Sequence, residues 1–135
     1  MIARNQKFKI LVADDEQVVR DLFENFLTKQ GYEVFTAVDG LDALSKIRDN
    51  NFDMLLLDLK MPVLDGMELI KKIKELKKDL IMIVITGYAT LDTAKEALRQ
   101  GCFNYIAKPF NIIEVSSIIK RAFDLRRLAE KKKEV

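Results

Sequence analysis

Five short apolar runs alternate along the chain with five stretches of helical periodicity. That alternation confines it to an α/β architecture, a doubly wound five-stranded parallel sheet with helices on both faces. The first run is Phe8–Ala13. Helix one, Glu16–Gln30, carries Val19, Leu22, Phe23, Phe26 and Leu27 at i, i+3, i+4, i+7 and i+8, with Gly31 in the stop position. Strand two, Glu33–Val38, alternates Val34 and Thr36 with Phe35 and Ala37, the pattern of an edge strand half open to water. Asp39-Gly40 turns into helix two, Leu41–Asn50. Strand three is Met54–Asp58, and its Met-Leu-Leu-Leu run is expected to be buried on both faces at the centre of the sheet.

A loop over Leu59–Leu64 holds Pro62, and Asp65 with Glu68 makes a capping-box-like start for helix three, Gly66–Lys77, whose inner side carries Ile70, Ile73 and Leu76 or Lys77. Strand four is Ile81–Thr86. Helix four, Leu91–Gln100, has only Leu91, Ala94, Ala97 and Leu98 to bury, so its docking is expected to be the weakest of the five and the helix a moving part. Strand five, Asn104–Ala107, ends at Lys108-Pro109, and Asn111 with Glu114 opens the last helix. In that helix Val115, Ile118, Ala122, Leu125 and Ala129 form a coiled-coil-like seam that runs past what one sheet can cover. A solvated basic helix end, a dimer seam and a linker to an output domain all fit it.

Composition removes several classes of function. With 135 residues, 49% of them hydrophobic, the chain holds one core and is too apolar for disorder. The single cysteine, Cys102, excludes an intramolecular disulfide framework and a zinc site of several thiolates; it reads as a small core residue in a reducing cytoplasm. Histidine is absent, which removes imidazole as base, nucleophile, metal ligand and phosphoryl acceptor, and with it most hydrolase mechanisms. The longest apolar stretch, Leu80–Ile85, is far short of the roughly 18 residues that cross a bilayer, and Ile10–Ala13 is too short for a signal-peptide core. No membrane association is expected. Net charge is +2, but Lys120–Val135 holds seven Lys or Arg against three acids, leaving 16 against 18 in residues 1–119. A slightly acidic body without a helix-turn-helix or zinc finger is not expected to bind nucleic acid directly.

Parallel strands bring their C-terminal ends to one rim, where ligands bind. That rim collects Asp14, Asp15 and Glu16 after the first strand, Asp58 after the third, Thr86 at the end of the fourth and Lys108 after the fifth. Three carboxylates in close reach cannot all stay ionised without a cation, and oxygen-only donors suit a hard ion such as Mg2+. With a metal held by two acids, the third carboxylate is a nucleophile toward phosphorus, and Lys108 and Thr86 serve the phosphoryl oxygens. The predicted chemistry is formation of an aspartyl phosphate.

These residues resemble the response-regulator receiver domain. The resemblance rests on Asp14-Asp15, on Asp58 with Met61-Pro62 and Asp65-Gly66 beyond it, on Thr86-Gly87 and on Lys108-Pro109-Phe110, in that order over residues 7 to about 123. It implies the flavodoxin-like strand order 2-1-3-4-5, a receiver domain over residues 1–123 and a basic C-terminal helical extension or linker over 124–135. It implies a phosphorylation-activated switch of a two-component system, in which Asp58 accepts a phosphoryl group from a histidine kinase or histidine phosphotransfer protein. Asp15, Asp58 and the backbone carbonyl of Lys60 would bind Mg2+ directly, and Asp14 through water. Thr86 would bind the phosphoryl group and Lys108 would pair with it. Lys108-Pro109 is expected to be a cis peptide. Tyr105 matches the switch aromatic that turns inward as Thr86 moves, Gly87 leaves the attacking site open, and Lys60 and Tyr88 occupy positions that tune phosphate lifetime. The output surface would be helix four, strand five and helix five. It would act on a downstream effector or a C-terminal output domain, or pair two copies there or through the C-terminal helix. Catalysis would be limited to the chain's own phosphorylation and dephosphorylation.

Each residue also has an ordinary reading alone: Asp14 and Asp15 as helix caps, Asp58 as a turn former, Thr86 as a strand-end hydroxyl, Lys108 as a solvated lysine, Tyr105 as half-buried packing. Their joint arrangement on one rim favours the site. A haloacid-dehalogenase-like phosphatase would need a second Asp where Lys60 stands. A flavin carrier would need a Ser/Thr/Gly-rich loop in place of Asp14-Asp15-Glu16, and no G-x-G-x-x-G or P-loop follows any strand. A degenerate receiver acting only as an interaction module is the remaining alternative.

Overall fold

A computed structural model of the chain describes residues 7–59 and 65–134. Its elements are β1 (Lys9–Ala13), α1 (Gln17–Lys29), β2 (Glu33–Ala37), α2 (Gly40–Asp49), β3 (Met54–Leu57), α3 (Gly66–Leu76), β4 (Ile81–Thr86), α4 (Leu91–Arg99), β5 (Asn104–Ala107) and α5 (Ile112–Glu134). The strands form one sheet in the order β2-β1-β3-β4-β5, every neighbouring pair parallel. The fold class and strand order are those expected from the sequence.

The apolar runs of the inner strands supply two cores at once because successive side chains of a strand point to opposite faces. Leu11, Ala13, Leu55, Leu57, Met82 and Val84 pack with Ala43 and Ile47 of α2, Leu69 and Ile73 of α3 and Ala97 of α4. Ile10, Val12, Met54, Leu56, Ile83 and Ile85 pack with Phe23 and Leu27 of α1 and with Val115, Ile119 and Phe123 of α5. β3 is buried along its whole length and sits centrally, whereas β2 at the edge alternates exposed and half-buried positions up to Ala37.

Local chemistry sets the helix ends. Asp39 accepts the Asp42 amide at 2.8 Å to start α2, Asp65 accepts the Met67 amide at 3.0 Å to start α3, and Asn111 accepts the Ile113 amide at 2.9 Å to start α5. The reciprocal capping box lies at α4, between Thr90 and Thr93, and not at Asp65 and Glu68 as the spacing suggested. Gly31 and Gly101 close α1 and α4 with φ of +100° and +101°, a left-handed conformation that glycine adopts without a Cβ clash.

α4 buries only Ala97 fully, and Leu91 and Leu98, which the spacing assigned to its inner face, are exposed. α5 continues beyond the sheet with Leu125 and Leu128 about half exposed, yet its first turns past Phe123 are held. Phe123 stacks on Phe8 at 4.0 Å, Arg127 lies over the Phe8 ring at 4.7 Å, and Arg126 reaches Asp53 Oδ1 at 3.5 Å and the Asp79 carbonyl. Among the described residues no helix is long and apolar enough to cross a membrane.

Candidate functional site

The C-terminal ends of β1, β3, β4 and β5 share one rim, and the side chain that joins them is Lys108, just past β5. Its ammonium donates to Asp14 Oδ2 at 2.8 Å, Asp58 Oδ2 at 3.0 Å and Glu16 Oε1 at 3.0 Å. Asp14 and Asp58 are almost fully buried, while Glu16 comes in from the solvent side with 62% of its side chain exposed. The backbone fixes the two buried acids: the Asp14 amide donates to Ala37 O at 3.2 Å and the Asp58 amide to Ala13 O at 3.1 Å, extending the ladders on either side of β1. The Glu16 amide donates to Asp14 Oδ1 at 2.9 Å, and Arg20 of α1 donates to the Asp14 carbonyl at 2.8 Å. These bonds tie the loop between β1 and α1 to the buried carboxylate.

The electrostatics follow from this crowding. Burial raises the pKa of Asp14, outweighing the hydrogen bonds from Lys108 and from the Glu16 amide that lower it. Burial alone would lower Lys108, but its bonds to Asp14, Asp58 and Glu16 prevail and raise its pKa, so the ammonium is fully charged at neutral pH. Among the described residues, the Lys108 ammonium faces all three carboxylates. Asp14, Glu16 and Asp58 each offer an oxygen, and these oxygens all lie within 4.8 Å of one another. An all-oxygen group of this spacing fits a hard divalent cation such as Mg2+. Chemically, the rim can present a carboxylate nucleophile beside a fixed ammonium.

The remaining expected residues lie around this group. Thr86 is fully buried at the end of β4, and its Oγ1 accepts the Tyr88 amide at 3.2 Å. The Lys108 amide donates to the Thr86 carbonyl at 2.8 Å, so β4 and β5 stay paired up to the rim. The Lys108-Pro109 peptide is cis. A Cβ on Gly87 would meet nothing nearer than the Lys108 side chain at 4.0 Å, so the space beside Thr86 is open. Tyr105 is half-buried on β5, two residues back from Ala107, the register partner of Thr86, and its hydroxyl meets Thr93 Oγ1 at 2.5 Å. A cleft of about 450 Å³ lies between β5 and α5, lined by Tyr105, Pro109, Phe110 and Ile118 among others.

Asp15 is exposed and stands outside the carboxylate group, and Lys60 lies outside the described residues. The sequence reading counted Glu16 at the rim but gave it no role; it is the acid that turns toward Lys108. Thr93 and Arg20 were missed altogether. For Thr93 a signal existed, since Thr90-x-x-Thr93 before a helical stretch is a capping pattern, but its second partner is brought in only by the tertiary fold.

A family profile, the response regulator receiver domain, matches residues 10–120. Sporulation initiation phosphotransferase F of Bacillus subtilis is 36% identical over 118 residues, 87% of this chain and 95% of its own length. Among solved structures, a CheY-like response regulator receiver domain protein of Methanospirillum hungatei superposes with a TM-score of 0.89 at 32% identity, over 92% of this chain and 99% of that one. The response regulator protein TrrA of Thermotoga maritima, solved in complex with Mg(2+)-BeF, gives 0.76 at 34% identity, over 84% and 97%. Other curated relatives are longer, and the chain spans about a quarter of their length. A sheet of order 2-1-3-4-5 whose rim gathers buried acids around a lysine, and a profile match over most of its length, lead to one family: this chain belongs to the response-regulator receiver domains.

Proposed function

We propose that this receiver is a phosphorylation-activated switch in which Asp58 is the phosphoacceptor. The observation that carries the reading is the position of Lys108, whose ammonium is held 3.0 Å from Asp58 Oδ2, where it can pair with a phosphoryl group carried by that carboxylate. An Asp58 oxygen attacks phosphorus, the P–N bond of a donor phosphohistidine breaks, and the imidazole leaves with the electron pair; the donor is a histidine kinase or histidine phosphotransfer protein. Asp14 and Asp58, with Glu16 or Asp15 and the carbonyl of Lys60, would hold Mg2+, which when bound neutralises the charge on the phosphoryl oxygens. The acid group and the Mg(2+)-BeF complex of a relative support that assignment. Thr86 hydrogen-bonds the phosphoryl group, and Tyr105 carries the change to the surface of α4, β5 and α5.

Residues 1–123 are the switching unit, and 124–135 are a basic extension or linker, helical through Glu134, whose first turn is anchored by Arg126 and Arg127. The target is an effector or an output domain, as the longer relatives named transcriptional regulators suggest, and the extension and the α4-β5-α5 face are the two surfaces for pairing copies of the chain. A cytoplasmic setting suits a phosphohistidine donor and a chain with one buried thiol. The test is intact-protein mass spectrometry after incubation with acetyl phosphate, with and without Mg2+. A single Mg2+-dependent phosphoryl adduct, lost in alkali and absent in Asp58→Ala, is expected. An adduct of wild-type size in Asp58→Ala would remove Asp58 from the role; a folded, cation-binding wild type that accepts nothing from acetyl phosphate or from kinases would point to an interaction module.

A further inference from the structure

Outside the acid group, one side-chain cluster links two elements that the proposed switch moves. The hydroxyl of Thr93, in the first turn of α4, is within hydrogen-bond distance of four atoms. These are the Thr90 amide at 3.1 Å, the Thr90 carbonyl at 3.1 Å, Thr90 Oγ1 at 2.9 Å and the Tyr105 hydroxyl at 2.5 Å. The Thr93 amide in turn donates to Thr90 Oγ1 at 3.1 Å.

A hydroxyl has one proton and two lone pairs, so these contacts restrict one another. The Thr90 amide can only donate and takes one lone pair. The one proton of the Thr93 hydroxyl is contested by the Thr90 carbonyl, Thr90 Oγ1 and the Tyr105 phenol, and its remaining lone pair by the hydroxyls of Thr90 and Tyr105, either of which can donate to it or accept from it. The cap of α4 and the setting of Tyr105 depend on the same oxygen atom.

We propose that Thr93 is a positioning residue for Tyr105: its hydroxyl latches the phenol against the first turn of α4 in the resting state, and release of the ring and loosening of the helix cap are one event. The inference rests on the reading of Tyr105 as the switch aromatic and names what holds it. α4 is a suitable partner for such a latch because Ala97 is its only fully buried residue, so few other contacts fix its first turn. The coupling is reciprocal: fraying of the helix start removes the hydrogen-bond partner of Tyr105, and withdrawal of the phenol removes a partner from the cap hydroxyl. The loss of one such bond from the resting state shifts a two-state population about three- to tenfold.

The chain has three tyrosines, Tyr32, Tyr88 and Tyr105, so 19F NMR of protein carrying 3-fluorotyrosine follows the ring, with Tyr105→Phe identifying its resonance. Beryllium fluoride with Mg2+ serves as the phosphoryl mimic. In Thr93→Val the Tyr105 resonance is expected to move toward its wild-type beryllofluoride position without the mimic, and the beryllofluoride midpoint to fall about threefold. Thr93→Ser, which keeps the hydroxyl, is expected to behave as wild type. Tyr105→Phe, which leaves Thr90 and Thr93 themselves unchanged, is expected to speed amide exchange in the first turn of α4 about threefold. A responsive wild type with a Thr93→Val resonance and midpoint unchanged overturns the latch alone, as does unchanged exchange in Tyr105→Phe. A wild-type resonance indifferent to beryllofluoride overturns the switch reading of Tyr105 and the latch with it.

Discussion

Asp14 ionises less readily in the fold than in the unfolded chain, because burial outweighs the hydrogen bonds it accepts. Its unfolded value is 3.8. As pH rises from there through the higher folded value, the unfolded chain gives up its proton first and stability falls; above that window the penalty is complete. Asp14→Asn is therefore expected to melt about 2–5 °C above wild type at pH 7 and to lose the advantage near about pH 3, where Asp14 is protonated in both states. Thermal scans by circular dichroism at the two pH values check this. A lower melting point at pH 7 would mean that the bond to Lys108 outweighs desolvation. Cys102 obeys the same linkage at the alkaline end. Burial pushes its thiol up to about 11 from 9.0, so it is protonated at neutral pH and contributes stability that declines between about pH 9 and 11. Iodoacetamide at pH 8 is expected to alkylate it far more slowly in native than in urea-unfolded protein; equal rates would place the thiol outside the core.

At the scale of elements, the loop after β3 and the start of α3 meet at Gly66. A Cβ there would lie 2.5 Å from the Leu59 carbonyl oxygen and 2.6 Å from its Cα, so Gly66→Ala must displace the backbone next to Asp58. It is expected to cost about 1–3 kcal/mol and to slow labelling of Asp58 by acetyl phosphate. Gly87→Ala, whose Cβ would make only ordinary contact with Lys108, should stay within about 0.5 kcal/mol of wild type. Urea titrations of both variants decide it, and equal midpoints would show that the Leu59 backbone yields freely. The elements themselves were readable because burial on both faces of β3 and β4 demands uninterrupted apolar runs, and the helices that cover them need a stripe every three or four residues. The acids, Thr86 and Lys108 were readable because strand ends in a parallel sheet share a rim. What the sequence left open depends on long-range or dihedral detail. Which of Asp15 and Glu16 faces Lys108 follows from the turn set by the Glu16 amide on Asp14 Oδ1. The bonds from Thr93 to Tyr105 and from Arg126 to Asp53 join residues 12 and 73 positions apart. The exposure of Leu91 and Leu98 reflects a helix too lightly docked for its periodicity to locate the buried side.

For the whole molecule, the rim is a store of unfavourable charge released by whatever brings in a cation. Lys108 reaches both buried acids, at 2.8 Å and 3.0 Å, so its charge contributes to the fold's stability without metal. A ligand that binds only the folded state stabilises it by RT ln(1 + [L]/Kd), about 2.7 kcal/mol at a hundredfold excess over Kd. For a chain of this size that corresponds to a melting point higher by about 5–10 °C. Mg2+ is expected to raise the wild-type melting point in this way, and EDTA to reverse it. Asp58→Asn should remove most of the shift. Lys108→Ala should melt below wild type in EDTA, because removing the cation from a buried pair leaves its partners uncompensated. The same variant should then gain more than wild type from Mg2+, since the ammonium no longer occupies the carboxylate lone pairs, so that the two converge as the metal saturates. Differential scanning calorimetry of the three proteins across a Mg2+ series separates the possibilities. A wild type indifferent to Mg2+ would show that the rim's own contacts already satisfy the acids. Parallel shifts in wild type and Lys108→Ala would show that lysine and metal do not share them, and that the phosphoryl charge would have to be met at two separate places on the rim.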